Sequence, residues 1–358
     1  METTHTISIQ KSKQSNLDQL ESGNLEFGKY VSDHMFDCTY ADGQWQQPAI
    51  KPFQDILLSP LTLALHYGQS IFEGLKAYKL EDGSLNIFRI KKHHERLNRS
   101  AQRMCMPEIP FSLFKEGLEH LIRIDQEWIP KAKDGALYIR PIIFASEAKF
   151  GVKVSDRYRF IIFTGPVSPV FQQPIKVKVE RHYIRAAKGG TGSTKCSGNY
   201  GGAFYPTQKA REEGFDQVIW TDASQHEFIE ESGMMNLMFV IDGKLTTPPL
   251  SDSILDGVTR DSLLQIARRM KIPAEERPIS IHEIIKAFDE NKITEAFGAG
   301  TAAVVAPIGH ISIDGKNYDL PPYNESSIHN QLKTELEAMR TGKKEDVFGW
   351  NHIVTPAP

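Results

Sequence analysis

KGGTGSTKCSGNYGGA, residues 188–203, is the stretch on which the assignment of this chain depends. Six glycines surround Lys195, and glycine at this density lets a backbone adopt positive φ and pass close to a ligand. The stretch is not a P-loop, because the GK[ST] ending is missing, and it lacks the GxGxxG spacing of a dinucleotide-binding fold. It indicates either an amine held at the edge of a ligand or a flexible linker with a chance lysine.

Length and composition narrow the class of protein. At 358 residues the chain is expected to form two domains. Hydrophobic residues make up 40% and charged residues 24%, and the net charge of −3 gives no reason to expect nucleic acid or an anionic membrane as partner. The cysteines Cys38, Cys105 and Cys196 fit free thiols in a reducing compartment. No apolar run approaches the roughly 20 residues of a membrane span, and the first residues do not resemble a signal peptide. These features favour a cytoplasmic protein.

The order of strand and helix patterns predicts a mixed α/β (α+β) fold with many antiparallel hairpins. We expect a flexible N-terminal arm over 1–25, a small α/β domain over 26–165, a linker over 166–174 and a large domain over 175–358. Gly165-Pro166, Pro169 and Pro174 mark the boundary. Helices are predicted over about 91–106 and 112–128, and from about Gly202. FGAGTAAVV, residues 297–305, is predicted to enter a strand.

Residues 136–145 alternate between apolar and polar side chains as a β-strand does. Tyr138 and Arg140 lie two positions apart, so they are predicted to share one face of this strand.

A lysine such as Lys195 suits an aldehyde cofactor that it binds as an imine, and pyridoxal phosphate is the obvious candidate. The phosphate needs an anion site. The helix start at Gly257-Val258-Thr259 offers free N–H groups, and Arg96 offers a forked cation. Arg96 could equally lie on a solvated helix face, because Lys91, Lys92, Arg99 and Arg103 surround it. Gly257 could equally be a simple turn glycine.

The ring of the cofactor needs two further partners. Glu231, in the apolar setting FIEESGMMNLMF, could pair with the protonated pyridine nitrogen. Tyr200, just after the lysine, could bind the phenolic oxygen. Glu231 could instead be an exposed strand residue, since Glu230 beside it is also acidic.

Eight segments in one order along the chain resemble the branched-chain amino acid aminotransferases, which are class IV, fold-type IV pyridoxal-phosphate enzymes. The segments are FGKYVSDHM (27–35), HYGQSIFEGLKAYK (66–79), HHERL (93–97), YIRP (138–141), KCSGNYGG (195–202), EESGMMN (230–236), LDGVTRDSLL (255–264) and FGAGTAA (297–303). The resemblance implies a two-domain fold of the D-amino acid aminotransferase type. It also implies a transaminase that moves the amino group of L-leucine, L-isoleucine or L-valine to 2-oxoglutarate, giving L-glutamate.

The resemblance also implies a role for each matched residue. Lys195 would form the Schiff base and shuttle the proton. The other implied cofactor contacts are Tyr200 at the ring oxygen, Glu231 at the ring nitrogen, and Arg96, Gly257, Val258, Thr259 and Thr301 at the phosphate. The implied substrate contacts are Thr301, Ala302 and Tyr67 at the α-carboxylate, and Phe27, Phe72 and Tyr138 around the side chain.

One pocket must accept aliphatic side chains and then the second carboxylate of glutamate. Arg140, on the strand face of Tyr138, can supply the cation while its charge is hydrogen-bonded to tyrosine oxygens. We therefore expect Arg140 to serve the glutamate half-reaction.

Other expectations concern partners and alternatives. The family resemblance implies a homodimer in which a loop near Phe150–Val152 reaches the partner's site. Val170 or Phe171 is expected to close one side of the pocket. No metal is predicted, since no His/Asp/Glu spacing suggests a metal site. The alternatives are a D-amino acid aminotransferase or an aminodeoxychorismate lyase of the same fold, and a cofactor-binding protein without catalysis.

Overall fold

The computed structural model describes residues 6–22, 25, 27–131, 135–168 and 173–356. These residues form two compact units. The first contains the described residues up to 168, then Lys195–Gly198, and the residues from Met339 onward. The second contains the described residues between them. Part of the predicted arm, part of the predicted linker, and Val170 and Phe171 lie outside the described residues.

The first unit is built on a 10-stranded sheet. Its strands are β1 Ser8–Ile9, β2 His34–Ala41, β3 Gln44–Trp45, β4 Ala49–Pro52, β5 Ser70–Phe72, β6 Leu75–Lys79, β7 Leu85–Phe88, β8 Ala136–Ala145, β9 Tyr158–Val167 and β19 Asn351–Val354. Its helices are α1 Leu63–Tyr67, α2 Ile90–Arg103 and α3 Phe111–Ile124, with 3-10 turns at Leu17–Ser22 and Gln126–Trp128. The strand order is β1-β4-β2-β9-β8-β6-β7-β19, with β3 beside β2 and β5 beside β8.

Sequence patterns explain the main elements of this unit. The bounds of β8 agree with the predicted strand 136–145. Asp42 and Gly43, which join β2 to β3, both have positive φ (53° and 76°), as a tight hairpin turn requires. Helix α2 buries Leu97 and Ala101 in the core but ends at Arg103, before the predicted residue 106. The helix cannot continue through Cys105, whose φ is 52°.

Both ends of the chain differ from the predictions. The predicted flexible arm includes β1, which pairs in parallel with β4, and the Ser12 N–H donates to His34 Nε2 at 2.9 Å. At the other end, β19 pairs with β7, so the predicted extension of the large domain to residue 358 is wrong. Here the backbone hydrogen bonds of β19 are satisfied within the first sheet.

The second unit is built on a 9-stranded sheet. Its strands are β10 Ile175–Glu180, β11 Gln217–Thr221, β12 Ile229–Ser232, β13 Met235–Ile241, β14 Lys244–Thr247, β15 Ala274–Glu276, β16 Ile293–Gly300, β17 Val304–Ile313 and β18 Lys316–Asp319. Its helices are α4 Gly198–Glu212, α5 Val258–Arg269, α6 Ile281–Asp289 and α7 Ile328–Arg340. The strand order is β12-β11-β10-β17-β16-β13-β14-β15, with β18 beside β17.

Two elements of this unit also differ from the predictions. Helix α4 begins at Gly198 rather than near Gly202, so Tyr200 lies in its first turn. Within residues 297–305, the first four end strand β16, 301–303 form a hairpin turn and 304–305 begin β17, so the segment joins two strands rather than entering one. In the part of the chain that the structure describes, no helix is both long and apolar enough to cross a membrane.

Candidate active site

The backbone of Lys195 is fixed by strand β5 and helix α2. The Phe72 N–H donates to the Lys195 carbonyl at 3.1 Å, and the Lys195 N–H donates to Ser100 Oγ at 3.0 Å. Ile71 and Cys196 form an antiparallel bridge beside these bonds. The lysine therefore lies in a short extended segment attached to the first sheet, which explains why residues 195–198 belong to the first unit.

The amine of Lys195 is buried among charged groups. The pKa of Lys195 is lowered to about 8, mainly by burial and then by the charges of Arg96 and Arg140, while Glu73 and Tyr138 oppose the change. The Nζ atom lies 4.7 Å from the centre of the Phe72 ring. Because a neutral amine is the nucleophilic form, this environment makes Lys195 reactive near neutral pH.

Arg96 is only 4% exposed, so the expectation of a solvated helix face is wrong for this residue. Its Nε donates to Glu73 Oε1 at 2.6 Å and its Nη2 to Glu73 Oε2 at 2.8 Å. His93 Nδ1 donates to the same Oε2 at 2.8 Å, which the charge of the carboxylate requires. Sequence reasoning assigned no role to Glu73 or His93, although both lie in the quoted segments.

A cavity of about 310 Å³ lies in the first unit and is lined by Phe27, Tyr138 and Arg140 among other residues. Arg140 Nη2 donates to Tyr138 Oη at 3.2 Å, which confirms the predicted hydrogen bond to a tyrosine oxygen. Phe27 packs edge-on against Tyr138, and the Arg140 guanidinium lies 4.8 Å from the Phe72 ring centre. Gly74 is required here, because a Cβ on it would stand 2.0 Å from Tyr138 Oη. The cavity thus combines aromatic walls with one cation.

In the second unit, Glu231 is 3% exposed, so it is not an exposed strand residue. Its Oε1 accepts hydrogen bonds from Asn236 Nδ2 and the Leu255 N–H, each at 2.9 Å. Its Oε2 lies 2.9 Å from Nε of Arg185. Arg185 also donates to the carbonyls of Gly192 and Ser253. Sequence reasoning missed Arg185, which links the glycine-rich loop to the acid.

Helix α5 begins after Gly257, and its first backbone bond runs from the Asp261 N–H to the Gly257 carbonyl at 2.9 Å. Gly257, at the N-terminal cap position, has no side chain with which to cap this end. The amides of Val258 and Thr259 come before the first bond, so they have no acceptor within the helix. A Cβ on Gly257 would lie 1.8 Å from Asn236 Oδ1, so this glycine is more than a turn residue. This helix start suits an anion.

Thr301 and Ala302 lie in the loop that joins β16 to β17, where Gly300 pairs with Val304. Val304 has a φ of 62°, which is rare for a β-branched residue and marks a constrained loop. Tyr200 follows Asn199, whose Nδ2 donates to the carbonyls of Thr191 and Thr194 at 2.7 and 2.8 Å. These bonds attach the first turn of α4 to the glycine-rich loop.

Three predicted residues lie on the surface of the first unit. Tyr67, at the end of α1, is 42% exposed, and Phe150 and Val152 are 89% and 84% exposed. None of these three lines the 310 Å³ cavity. Among the described residues, no group of three or more His, Cys, Asp or Glu side chains is arranged to hold a metal ion.

The comparison with known families identifies the family of the chain. The family described as Amino-transferase class IV matches residues 70–311, so the chain belongs to the class IV aminotransferases. Branched-chain-amino-acid transaminase 1 of Bacillus subtilis (strain 168) is 41% identical over 335 residues, which cover 92% of this chain and 94% of that protein. The branched-chain-amino-acid aminotransferase of Mycolicibacterium smegmatis is 40% identical and covers 91% of each chain. Within its class, the chain therefore belongs to the branched-chain-amino-acid aminotransferases.

Solved structures agree with this fold. The crystal structure of the Escherichia coli branched-chain amino acid aminotransferase matches with a TM-score of 0.72 and 27% identity, covering 89% of this chain and 98% of that one. The branched-chain amino acid aminotransferase of Thermobaculum terrenum, solved in its PLP form, matches with a TM-score of 0.73 and 21% identity, covering 91% of this chain and 99% of that one. The predicted fold class is confirmed.

Proposed function

We propose that this aminotransferase moves the amino group of L-leucine, L-isoleucine or L-valine to 2-oxoglutarate, with pyridoxal 5′-phosphate as cofactor. The carrying observation is the buried Lys195 amine, whose pKa of about 8 leaves about a tenth of it neutral at pH 7, a far larger share than an ordinary lysine has. The cofactor supplies an aldehyde for an amine and a protonated ring that withdraws electrons from the substrate Cα.

The residues present fit this cofactor. Lys195 Nζ is the group that bonds to the aldehyde carbon, and Tyr200 is assigned to the ring oxygen. Glu231, held by two hydrogen-bond donors and by Arg185, is assigned to the ring nitrogen, where a fixed carboxylate favours the protonated form. The hydrogen-bond donors assigned to the phosphate are Arg96, Thr301 and the backbone amides of Val258 and Thr259, which follow Gly257. The amides of Val258 and Thr259, which precede the first backbone hydrogen bond of α5, support this set.

Lys195 also moves the proton. Once displaced by the substrate amine, the neutral Nζ would accept the proton from the substrate Cα and donate it to the former aldehyde carbon of the cofactor, and it would move a proton in the opposite direction when the oxo-acid acceptor is aminated. A pKa of about 8 suits both directions, because an acid–base group works best when its pKa lies near the working pH. The Phe72 and Ser100 contacts to its backbone hold the base of the side chain still during both transfers.

The substrate side chain is assigned to Phe27, Phe72 and Tyr138, with Arg140 for the distal carboxylate of glutamate. The aromatic walls suit leucine, and the Arg140 guanidinium, already bonded to Tyr138 Oη, stays partly satisfied when an aliphatic group is bound. The α-carboxylate is assigned to Thr301 and Ala302, with help from Tyr67.

We further propose a homodimer. The segments around residues 61–67 and 147–152 are joined by the Thr62–Ala148 bridge and by two backbone hydrogen bonds. The exposed apolar side chains of these segments are Leu61, Leu65, Tyr67, Phe150 and Val152. A contiguous apolar surface of this kind favours burial against another protein surface, and a second copy of this chain is the proposed occupant. The cytoplasm is the proposed location, since Cys38, Cys105 and Cys196 are free thiols.

The experiment that tests the activity follows the amino nitrogen. The purified enzyme is mixed with 2-oxoglutarate and L-leucine carrying an isotopic label on nitrogen, and the products are separated by mass. We expect labelled L-glutamate and 4-methyl-2-oxopentanoate. Labelled glutamate from D-alanine but not from L-leucine would move the assignment to the D-specific members of the fold, and a Lys195→Ala variant serves as the inactive control.

A further inference from the structure

Glu73 is the most completely enclosed carboxylate near Lys195. Its side chain is 0% exposed, and its backbone is fixed at the end of β5, where the Glu73 N–H donates to the Pro141 carbonyl at 2.9 Å. The carboxylate accepts from Arg96 twice, from His93 once, and from the Gly74 N–H at 3.1 Å. Four donors from three residues therefore converge on one buried anion.

The charge state of this group follows from its partners. Burial by itself raises the pKa of Glu73, but the charge and hydrogen bonds of Arg96, with those of His93, outweigh it and hold this pKa well below its usual range. Burial also lowers the pKa of His93, so the imidazole is neutral and contributes only its Nδ1–H. Arg96 thus provides the charge that compensates Glu73, and a buried carboxylate that lost it would be strongly unfavourable.

The geometry limits how Arg96 can point. Two parallel hydrogen bonds, from Nε and Nη2, fix the plane of the guanidinium as well as its position. Residues next to Glu73 and Arg96 bind the backbone of Lys195. Phe72 directly precedes Glu73, and Ser100 lies about one helical turn after Arg96. Glu73 therefore sits where the support of Arg96 and the support of Lys195 meet.

We propose that Glu73 is a positioning residue that pre-orients Arg96 for the cofactor phosphate. The inference rests on the proposed role of Arg96 as a phosphate ligand. A free arginine side chain loses conformational freedom when it binds an anion, and Glu73 removes that loss in advance. Glu73 does not itself approach the phosphate, because two anions at hydrogen-bond distance would repel each other.

The test compares two cofactors on the full-length chain after cofactor removal. Pyridoxal 5′-phosphate and pyridoxal share the aldehyde and the ring, so their ratio of dissociation constants isolates the phosphate contribution. Binding is followed by the absorbance of the lysine-bound ring. Glu73→Gln keeps the shape of the side chain, and we expect about tenfold weaker binding of pyridoxal 5′-phosphate with little change for pyridoxal.

The matched control is Glu119→Gln. Glu119, on α3, also accepts from a histidine and an arginine, His352 Nε2 at 2.7 Å and Arg123 Nη2 at 3.5 Å, but it has no described contact with Lys195 or Arg96. This variant is expected to leave the ratio unchanged. If Glu73→Gln does not fold, Glu73→Asp, which keeps the charge but shortens the reach, replaces it in the comparison.

The double variant Glu73→Gln with Arg96→Gln separates the possible failures. If Glu73 acts through Arg96, the double variant has the same cofactor ratio as Arg96→Gln alone. Equal weakening of both cofactors by Glu73→Gln, or no weakening of either, would overturn the positioning role. If Arg96→Gln itself leaves the ratio unchanged, the phosphate assignment of Arg96 fails, and the inference about Glu73 fails with it.

Discussion

Replacing Arg140 by glutamine is expected to separate the two half-reactions. The guanidinium donates to Tyr138 Oη at 3.2 Å and lies over the Phe72 ring, at the wall of the 310 Å³ cavity. Among the described residues, its buried Nε atom has no hydrogen-bond partner. A carboxylate entering the cavity can satisfy it, whereas an aliphatic side chain cannot. The substitution should therefore weaken the binding of 2-oxoglutarate and L-glutamate more than that of the aliphatic substrates.

The expected size follows from the loss of one partner in an enclosed charge pair, which costs about 2–5 kcal/mol. At about 1.4 kcal/mol for each factor of ten, kcat/KM for 2-oxoglutarate should fall by about 30-fold or more. For 4-methyl-2-oxopentanoate, the fall should stay within about threefold, because this substrate has no second carboxylate that could lose a charged partner.

The assay is steady-state kinetics with each oxo acid at several concentrations. Arg159→Gln is the matched control, since Arg159 lies on the adjacent strand β9 and pairs with Asp37 through Nε at 2.8 Å. The Arg159→Gln variant should change kcat/KM for both oxo acids equally or not at all. A similar loss for both oxo acids in Arg140→Gln, or a loss confined to 4-methyl-2-oxopentanoate, would refute the assignment.

Three further predictions concern Lys195, the start of helix α5 and strand β19. In the cofactor-free protein, Lys195→Met should be more stable to urea by about 3 kcal/mol at pH 7, because the buried lysine has its pKa lowered from 10.5 to about 8. Above pH 8 the lysine loses its proton in the folded protein but keeps it in the unfolded chain until about pH 10.5, so burying the lysine costs less as the pH rises. The stability advantage of Lys195→Met should therefore shrink between pH 8 and pH 10.5, and a constant advantage would contradict the stated cause. Gly257→Ala should displace Asn236 from Glu231 and weaken the binding of the cofactor, which is measured as the cofactor retained after dialysis. Unchanged retention would argue against a phosphate site at the start of α5. Deletion of residues 351–358 should expose the edge of β7 and lower the melting temperature measured by circular dichroism, and an unaltered value would mean that β19 contributes no stability.

The parts of the fold that were predictable depend on local patterns. Strand β8 was predicted with its observed bounds because Leu137 and Ile139 alternate with polar residues and the apolar run 141–145 continues the strand. The Asp-Gly turn between β13 and β14 is another local pattern, since both Asp242 and Gly243 tolerate positive φ and adopt it, at 52° and 73°. Such signals need only neighbouring residues, so a single sequence carries them in full.

The parts that were wrong depend on distant partners or on residues that oppose local preference. Nothing near residues 351–354 specifies pairing with β7, which lies more than two hundred residues earlier. The start of α4 is rich in glycine, which disfavours helix, and the side-chain bonds of Asn199 to the preceding loop hold it. The turn between β16 and β17 places Val304 where a glycine would be expected, so no turn signal was present.

The candidate site divides in the same way. Lys195, Arg96 and Glu231 were predicted as site residues because their residue types and settings suggested a chemical role. Glu73 and Arg185 were missed because their function is to hold another side chain, and that relation appears only when β5 meets α2 or β12 meets the glycine-rich loop. For Glu73, the signal in the sequence was an acidic residue among the apolar residues of HYGQSIFEGLKAYK, a segment that already resembled the family.

The central claim is that Lys195 carries the cofactor, and one measurement tests it most directly. The purified enzyme is treated with borohydride, which fixes the bond between cofactor and lysine, then digested and mapped by mass spectrometry. A second sample is first treated with L-leucine alone. The account predicts the cofactor label on Lys195 in the first sample and its loss in the second, because the substrate amine displaces the lysine. A label on another lysine, or a label on Lys195 that L-leucine does not reduce, would contradict the account.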